Sequence, residues 1–167
     1  MTRPTVRRAV LADIAAMTAC YLNSWRAAYV DTFDPHTLDR EADRRRDYDW
    51  ATDIESHGRR ALVAERGGHV IGVATARLDL TAPRDLPEVT MLYVVPTSWG
   101  SGAAQDLLRE SETWIESRGA TAARLRVVEA HTRARRFYER AGWDEDPSIE
   151  PVSNGHLRLI SYRKQLA

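Results

Sequence analysis

The chain has 167 residues, with 24 Lys+Arg against 24 Asp+Glu, so its formal net charge is zero; 43% of residues are hydrophobic and 29% are charged. That balance suits a single soluble domain over residues 1–167 and gives no electrostatic reason to bind nucleic acid or an acidic membrane face. Cys20 is the one cysteine, which excludes an internal disulfide and a cysteine-based zinc cluster, and with neither a signal-peptide pattern nor a membrane-span run the expected location is cytoplasmic.

The predicted elements alternate. Pro4–Val10 reads as a short first strand. Ile14, Met17, Tyr21, Trp25 and Ala28 recur at helical spacing, and Asp13 supplies an acid at the start, so an amphipathic helix is predicted from Asp13 to about Tyr29. Thr32–Trp50 is polar and helix-compatible. It predicts a second, more exposed helix with Leu38 and Ala42 as weak anchors and Arg44–Arg46 on a solvated face. In Ala61–Leu78 two strand runs flank Gly67–Gly68, the pattern of a hairpin with a two-residue turn. A proline-bearing loop, Thr81–Glu88, leads to a strand at Val89–Val95. A helix from Gly102 to about Arg118 stops at Gly119, and a strand follows at Thr121–Glu129. His131–Gly142 is a short helix, and His156–Leu166 is a closing strand. No repeat or linker divides the chain.

The glycines of "WGSGAA" (Trp99–Ala104) lie where a strand hands over to a helix, and three readings compete. A dinucleotide fingerprint fails because Gln105 holds the third glycine position, and too little chain follows Glu129 for a doubly wound sheet. A phosphate-binding loop of the Lys-Ser/Thr kind fails because neither residue follows the glycines. A plain turn remains open. So does an anion site: the first N–H groups of a helix lack partners, the dipole is positive there, and small side chains admit a diphosphate.

Three segments, "LYVVP" (Leu92–Pro96), "WGSGAA" and "HTRARRFYERAGW" (His131–Trp143), occur in order, joined by one helix and one strand. From Glu88 to Trp143 the chain thereby resembles the GCN5-related N-acetyltransferase family. Weaker resemblance in "SWRAAYVDTFDP" and "RLISYRKQL" covers most of the rest. The resemblance implies an α/β fold with a mostly antiparallel mixed sheet, two parallel strands that splay apart, and flanking helices. It also implies transfer of an acyl group from acetyl-CoA to a primary amine of a small molecule or peptide. Attack is direct in a ternary complex, without a metal. Backbone groups of Leu92, Tyr93 and Val94 are then expected to hold the pantetheine arm as an added strand would. The N–H groups of Gly100, Ser101, Gly102, Ala103, Ala104 and Gln105 are expected to hold the diphosphate. Two positions depart from the family pattern: Trp99 replaces Gln or Arg, and His131 replaces Asn. His131 is expected to cap the last helix and remains able to donate to the cofactor.

By the same resemblance Tyr138 is the acid that serves the leaving thiolate, whereas on residue pattern alone it is a core aromatic. Glu88 stands where several members keep a glutamate that works through water; otherwise it is a solvated boundary residue. A backbone N–H near Val94 is the candidate oxyanion donor. Trp25 and Tyr29, spaced i, i+4, are candidates for the acceptor wall, with core packing as the plain alternative. One of Arg133, Arg135 and Arg136 is a candidate for the nucleotide phosphate. Asp31–Ile54 is rich in acids, which would suit a cationic amine, but it also carries four arginines, so the acceptor's charge is not read from it. A homodimer is left open. The second functional reading, given the two departures, is a non-catalytic acyl-CoA-binding module.

Overall fold

A computed structural model describes residues 2–78 and 86–167. Its elements, in chain order, are β1 (Thr5–Arg8), α1 (Ile14–Tyr29), α2 (Pro35–Asp43), α3 (Trp50–Glu55), β2 (Arg59–Arg66), β3 (His69–Arg77), β4 (Glu88–Val94), α4 (Ala103–Ser117), β5 (Ala122–Val128), α5 (Thr132–Arg140), β6 (Asp144–Glu145), β7 (Val152–Asn154) and β8 (Leu157–Gln165). The eight strands form one mixed sheet in the order β1-β2-β3-β4-β5-β8-β6, with β7 also on β8. Among the described residues only β4 and β5 pair in parallel.

The strongest sequence signals reappear with small shifts of boundary. The β2–β3 turn is Gly67–Gly68, both at positive φ (59° and 78°), as a twist-matched two-residue turn needs. The helix expected within Thr32–Trp50 is present but shorter, ending at Asp43, and a further helix that was not expected begins at Trp50. Asp34 caps α2 by accepting from the Thr37 N–H at 3.0 Å, and Asp49 starts α3 by accepting from Thr52 at 3.1 Å. The break lets Trp50 turn under α1, where it is 1% exposed and donates to Thr18 Oγ1 at 3.1 Å. The short strands β6 and β7 were not predicted; their residues are exposed and lack alternation. The loop expected at Thr81–Glu88 falls largely outside the described residues.

α1 buries Met17, Cys20, Tyr21, Trp25 and Tyr29 on one side of the sheet. α4 packs Ala103 and Leu107 on β2–β4, and Leu108, Trp114 and Ile115 toward β5. Gly72 in β3 permits this approach: an added Cβ there would lie 2.9 Å from Leu107 Cδ1 and 3.1 Å from Val94 Cγ2. Among the described residues no helix is long and apolar enough to cross a membrane.

Candidate active site

β4 and β5 each have seven residues, yet they are in register only at Glu88–Arg124 and Val89–Leu125. Beyond that point they part. The parting coincides with a bulge in β4: Val89 faces Ala76 and Met91 faces Thr75, so Thr90 is an extra residue. A bulge bends its strand and increases its twist, which is the local cause of the splay. The bulge is held by a 2.6 Å hydrogen bond between the hydroxyls of Thr75 and Thr90. Further along, the Val95 N–H donates to the Ile71 carbonyl. Strand alternation therefore aims the polar groups of Tyr93 at β3 and those of Leu92 and Val94 into the gap. The gap opens into a cleft of about 720 Å³, lined by β4, β5, α1, α5 and the start of α4.

At one end lies the loop before α4. Gly100 and Gly102 have φ of 76° and 87°, and an added Cβ at either would meet nothing within 4 Å. Their glycine requirement is thus conformational, as the plain-turn reading holds, while the space beside them is open. Of Gly100–Gln105, Ala104 and Gln105 line the cleft. Ala103 is 1% exposed, and its N–H donates to Ser101 Oγ at 3.3 Å. Asp106, an acid in the first turn, is occupied by Arg3 and Arg109.

Trp99 has a polar contact that its sequence position does not reveal. Its Nε1–H donates to the Val94 carbonyl at 2.9 Å, and the Arg133 guanidinium lies over its ring at 3.4 Å. The pair joins the α4 loop to the start of α5. Of the other arginines on α5, Arg135 bonds Tyr162 and the Glu129 carbonyl, and Arg136 is exposed.

Deeper in the cleft, four tyrosines from three elements converge: Tyr21 and Tyr29 from α1, Tyr93 from β4 and Tyr138 from α5. The Tyr21 and Tyr93 rings are 5.1 Å apart. Burial holds every one of these phenols above its ordinary titration range, so all are protonated at neutral pH. For Tyr138 the neighbouring Tyr29 adds to the rise. Tyr138 packs against Phe137 and Tyr162 at 5.3 and 6.4 Å, and among the described residues its hydroxyl has no hydrogen-bond partner. His131 is the residue just before α5, at its N-cap, but its side chain makes no cap bond, contrary to expectation. Its ring faces Tyr29 at 5.7 Å. Burial, aided by Arg133, lowers its pKa and keeps it neutral.

Trp25 is 1% exposed and packs on Tyr29 at 4.9 Å, so it serves the core and the cleft wall together. Over its other side lies Arg45, 4.1 Å from the ring centroid. The expected solvated face at Arg44–Arg46 therefore needs correcting: Arg44 and Arg46 are exposed, but Arg45 turns into the cleft. Nothing in "RRR" distinguishes its middle member; the distinction comes from α2 ending against α1.

Glu88 is not a solvated boundary residue. It is 5% exposed and accepts from Arg77 Nη2 at 3.0 Å and Arg124 Nη2 at 3.4 Å. Those arginines are its register partners on β3 and β5, so the carboxylate braces the point where the sheet divides. Cys20 is 3% exposed, and burial pushes its thiol up to about 11, so it is inert. Among the described residues no group of three or more His, Cys, Asp or Glu is placed to hold a metal ion.

An open mixed sheet whose one parallel pair splays above a helix N-terminus defines the acyl-CoA N-acyltransferase fold. Comparison with known proteins agrees. The acetyltransferase (GNAT) family model matches residues 21–143, and the chain belongs to that family; it is an acyltransferase. An uncharacterised N-acetyltransferase of Archaeoglobus fulgidus is 25% identical over 136 residues, which is 80% of this chain and 88% of that protein. YhfO of Bacillus subtilis, also an uncharacterised N-acetyltransferase, is 25% identical over 143 residues, covering 84% of this chain and 90% of its own. The crystal structure of the PaiA N-acetyltransferase of Thermoplasma acidophilum in complex with coenzyme A superposes with a TM-score of 0.81 over 99% of both chains, at 16% identity. That likeness is one of fold.

Proposed function

We propose that this enzyme transfers the acetyl group of acetyl-CoA to a primary amine by direct attack. The observation that supports this most is the gap between β4 and β5, with strand polar groups aimed into it and Tyr138 on its wall. The family's use of acetyl-CoA fits the cleft. The backbone groups of Leu92 offer ladder-type bonds to an extended amide-bearing arm. Ala104 and Gln105 offer helix N–H groups, and Arg133 a charge, to phosphates. The Val94 carbonyl is left out of this set because Trp99 occupies it.

In the reaction the amine nitrogen attacks the thioester carbonyl, the C–S bond breaks, and coenzyme A leaves as the thiol. The residues of the chain supply three things. The Val94 N–H faces the developing oxyanion. Tyr138, protonated and without a partner in the fold, donates to the leaving sulfur. Tyr29 and Tyr93, with neutral His131, line the route by which the amine loses its proton. Glu88 serves as a brace rather than as the base. Calorimetric titration with acetyl-CoA in metal-free buffer, followed by thiol release with a panel of amines, tests this reading. Heat of binding with amine-dependent release is expected; no heat from a folded sample would overturn it.

A further inference from the structure

Residues 31–54 carry eight acids against four arginines in the sequence, yet it is an arginine and not an acid that this segment brings to the cleft. Of that whole segment Arg45 alone lines it. Its side chain is 20% exposed and is held in place by three contacts. It donates to the Glu41 carbonyl at 2.7 Å, meets the Glu41 carboxylate at 3.6 Å, and lies on Trp25 at 4.1 Å. Glu41 does not neutralise it, because the same carboxylate also serves Arg44 at 3.0 Å and Arg40 at 4.0 Å. Glu41 is also absent from the cleft lining.

Elsewhere in the cleft the balance is as uneven. Among the described lining residues the one carboxylate is Glu88, already engaged by Arg77 and Arg124. Arg126, Arg133 and Arg140 line the β5 and α5 side, and Arg45 lines the α1–α2 side. The phenols of Tyr21, Tyr29 and Tyr93 line the same cleft as Arg45 and Tyr138, and the Arg45 charge is felt at all three. These are hydrogen-bond donors around a fixed guanidinium, in a place that excludes most water. An ammonium group there would meet repulsion with no acid to offset it. A carboxylate would meet a planar fork of donors whose geometry matches its own.

We propose that Arg45 is a specificity residue that binds an anionic group of the acceptor, and that the acceptor is a primary amine that also carries a carboxylate. This rests on the acetyl-transfer reading above. Polyamines and other amines with a second positive charge are poor acceptors on the same ground.

The test is thiol release from acetyl-CoA with matched acceptors: glycine and glycinamide, leucine and leucinamide, glutamate and its α-amide, with spermidine as the polycation. In at least one pair the acid is expected to exceed its amide by tenfold or more in kcat/KM, and spermidine to fall below both. Arg45→Gln is expected to bring that ratio close to one, and Arg45→Lys to restore part of it. Coenzyme A affinity and the melting curve of each variant are read alongside, to separate loss of recognition from loss of Trp25 packing. Amides or spermidine used as well as the acids would overturn this proposal while sustaining acetyl transfer. An unchanged acid-to-amide ratio in Arg45→Gln would overturn it too. Release with no amine at all would instead overturn the acetyl-transfer reading on which it stands.

Discussion

Replacing Tyr138 by Phe removes one oxygen and separates two roles cleanly. In the fold the hydroxyl has no hydrogen-bond partner among the described residues, while the ring packs against Phe137 and Tyr162. Losing it strands no other group, so the stability change is expected to stay within about 0.5 kcal/mol, the ordinary range for a change away from special features. At about 2–4 °C per kcal/mol for a chain of this size, the melting temperature moves by less than about 2 °C. The chemical cost is much larger. General acid help is worth roughly 10²–10⁴-fold, or about 2.7–5.5 kcal/mol of barrier. A well-placed hydrogen bond to a thiolate lies toward the low end, because a thiol with a pKa of about 8.5 is a moderate base. Stopped assays of thiol release at saturating amine are expected to show kcat down by tenfold or more with acetyl-CoA affinity unchanged. Because burial and Tyr29 raise the Tyr138 pKa, the parent should show no loss of kcat from this group up to about pH 9. Unchanged kcat in Tyr138→Phe would refute the assignment. A melting temperature several degrees lower would show that the hydroxyl has a structural partner and that the reasoning from geometry is wrong.

Three other variants test the frame around it. Glu88→Gln leaves Arg77 and Arg124 facing a neutral amide; breaking a buried pair costs roughly 3–5 kcal/mol, and the 33% exposure of Arg77 reduces this to about 2–3 kcal/mol. Denaturant unfolding measures it, and lost turnover at unchanged stability would instead restore Glu88 as a base. Gly72→Ala puts a methyl 2.9 Å from Leu107 Cδ1 and 3.3 Å from the Tyr93 carbonyl, so a loss of about 1–3 kcal/mol is expected in the same assay. Trp99→Gln keeps a donor for the Val94 carbonyl but removes the surface on which Arg133 lies. By calorimetry its acetyl-CoA affinity should stay within about tenfold of the parent, or about 1.4 kcal/mol, and a hundredfold loss would show that the indole itself is a principal contact.

Local chemistry was legible in the sequence, and contacts set by folding were not. Gly67–Gly68 announced a hairpin because only a turn with two positive φ values calls for both glycines. The order of "LYVVP", "WGSGAA" and the Tyr138 helix, by its family resemblance, announced the parallel pair. Thr32–Trp50 misled because polar residues at helical propensity carry no mark for the break that buries Trp50 under α1. At Gly100–Gln105 the sequence left a plain turn and an anion site open; the turn is there with open space beside its glycines, and nothing in the sequence showed that Ala103 would face the core. Glu88 gave no sign of its two guanidinium partners, one 11 residues before it and the other 36 after it. Arg45 was hidden among three consecutive arginines, since which one turns inward depends on where α2 ends against Trp25.

The seam between β4 and β5 also bears on how the molecule comes apart. Strands β1–β4 come from residues 5–94 and β5–β8 from 122–165, so each half of the sheet is built from its own stretch of chain. Between the strands themselves, among the described residues, two register pairs and the Glu88 brace join the halves, with the packing of α4 and α1, the Trp99–Arg133 pair and the Tyr29–His131 contact added around them. Native-state hydrogen exchange should therefore resolve two cooperative units, with β6–β8 able to open at a lower free energy than β2–β4. Along β4 the amides should alternate, Leu92 and Val94 exchanging faster than Tyr93 and Val95 although all four lie mid-sheet. A molecule seated in the seam supplies the missing ladder to both sides at once. Its binding would then merge two unfolding units into one, so that ligation is read as sharper cooperativity as well as a higher midpoint.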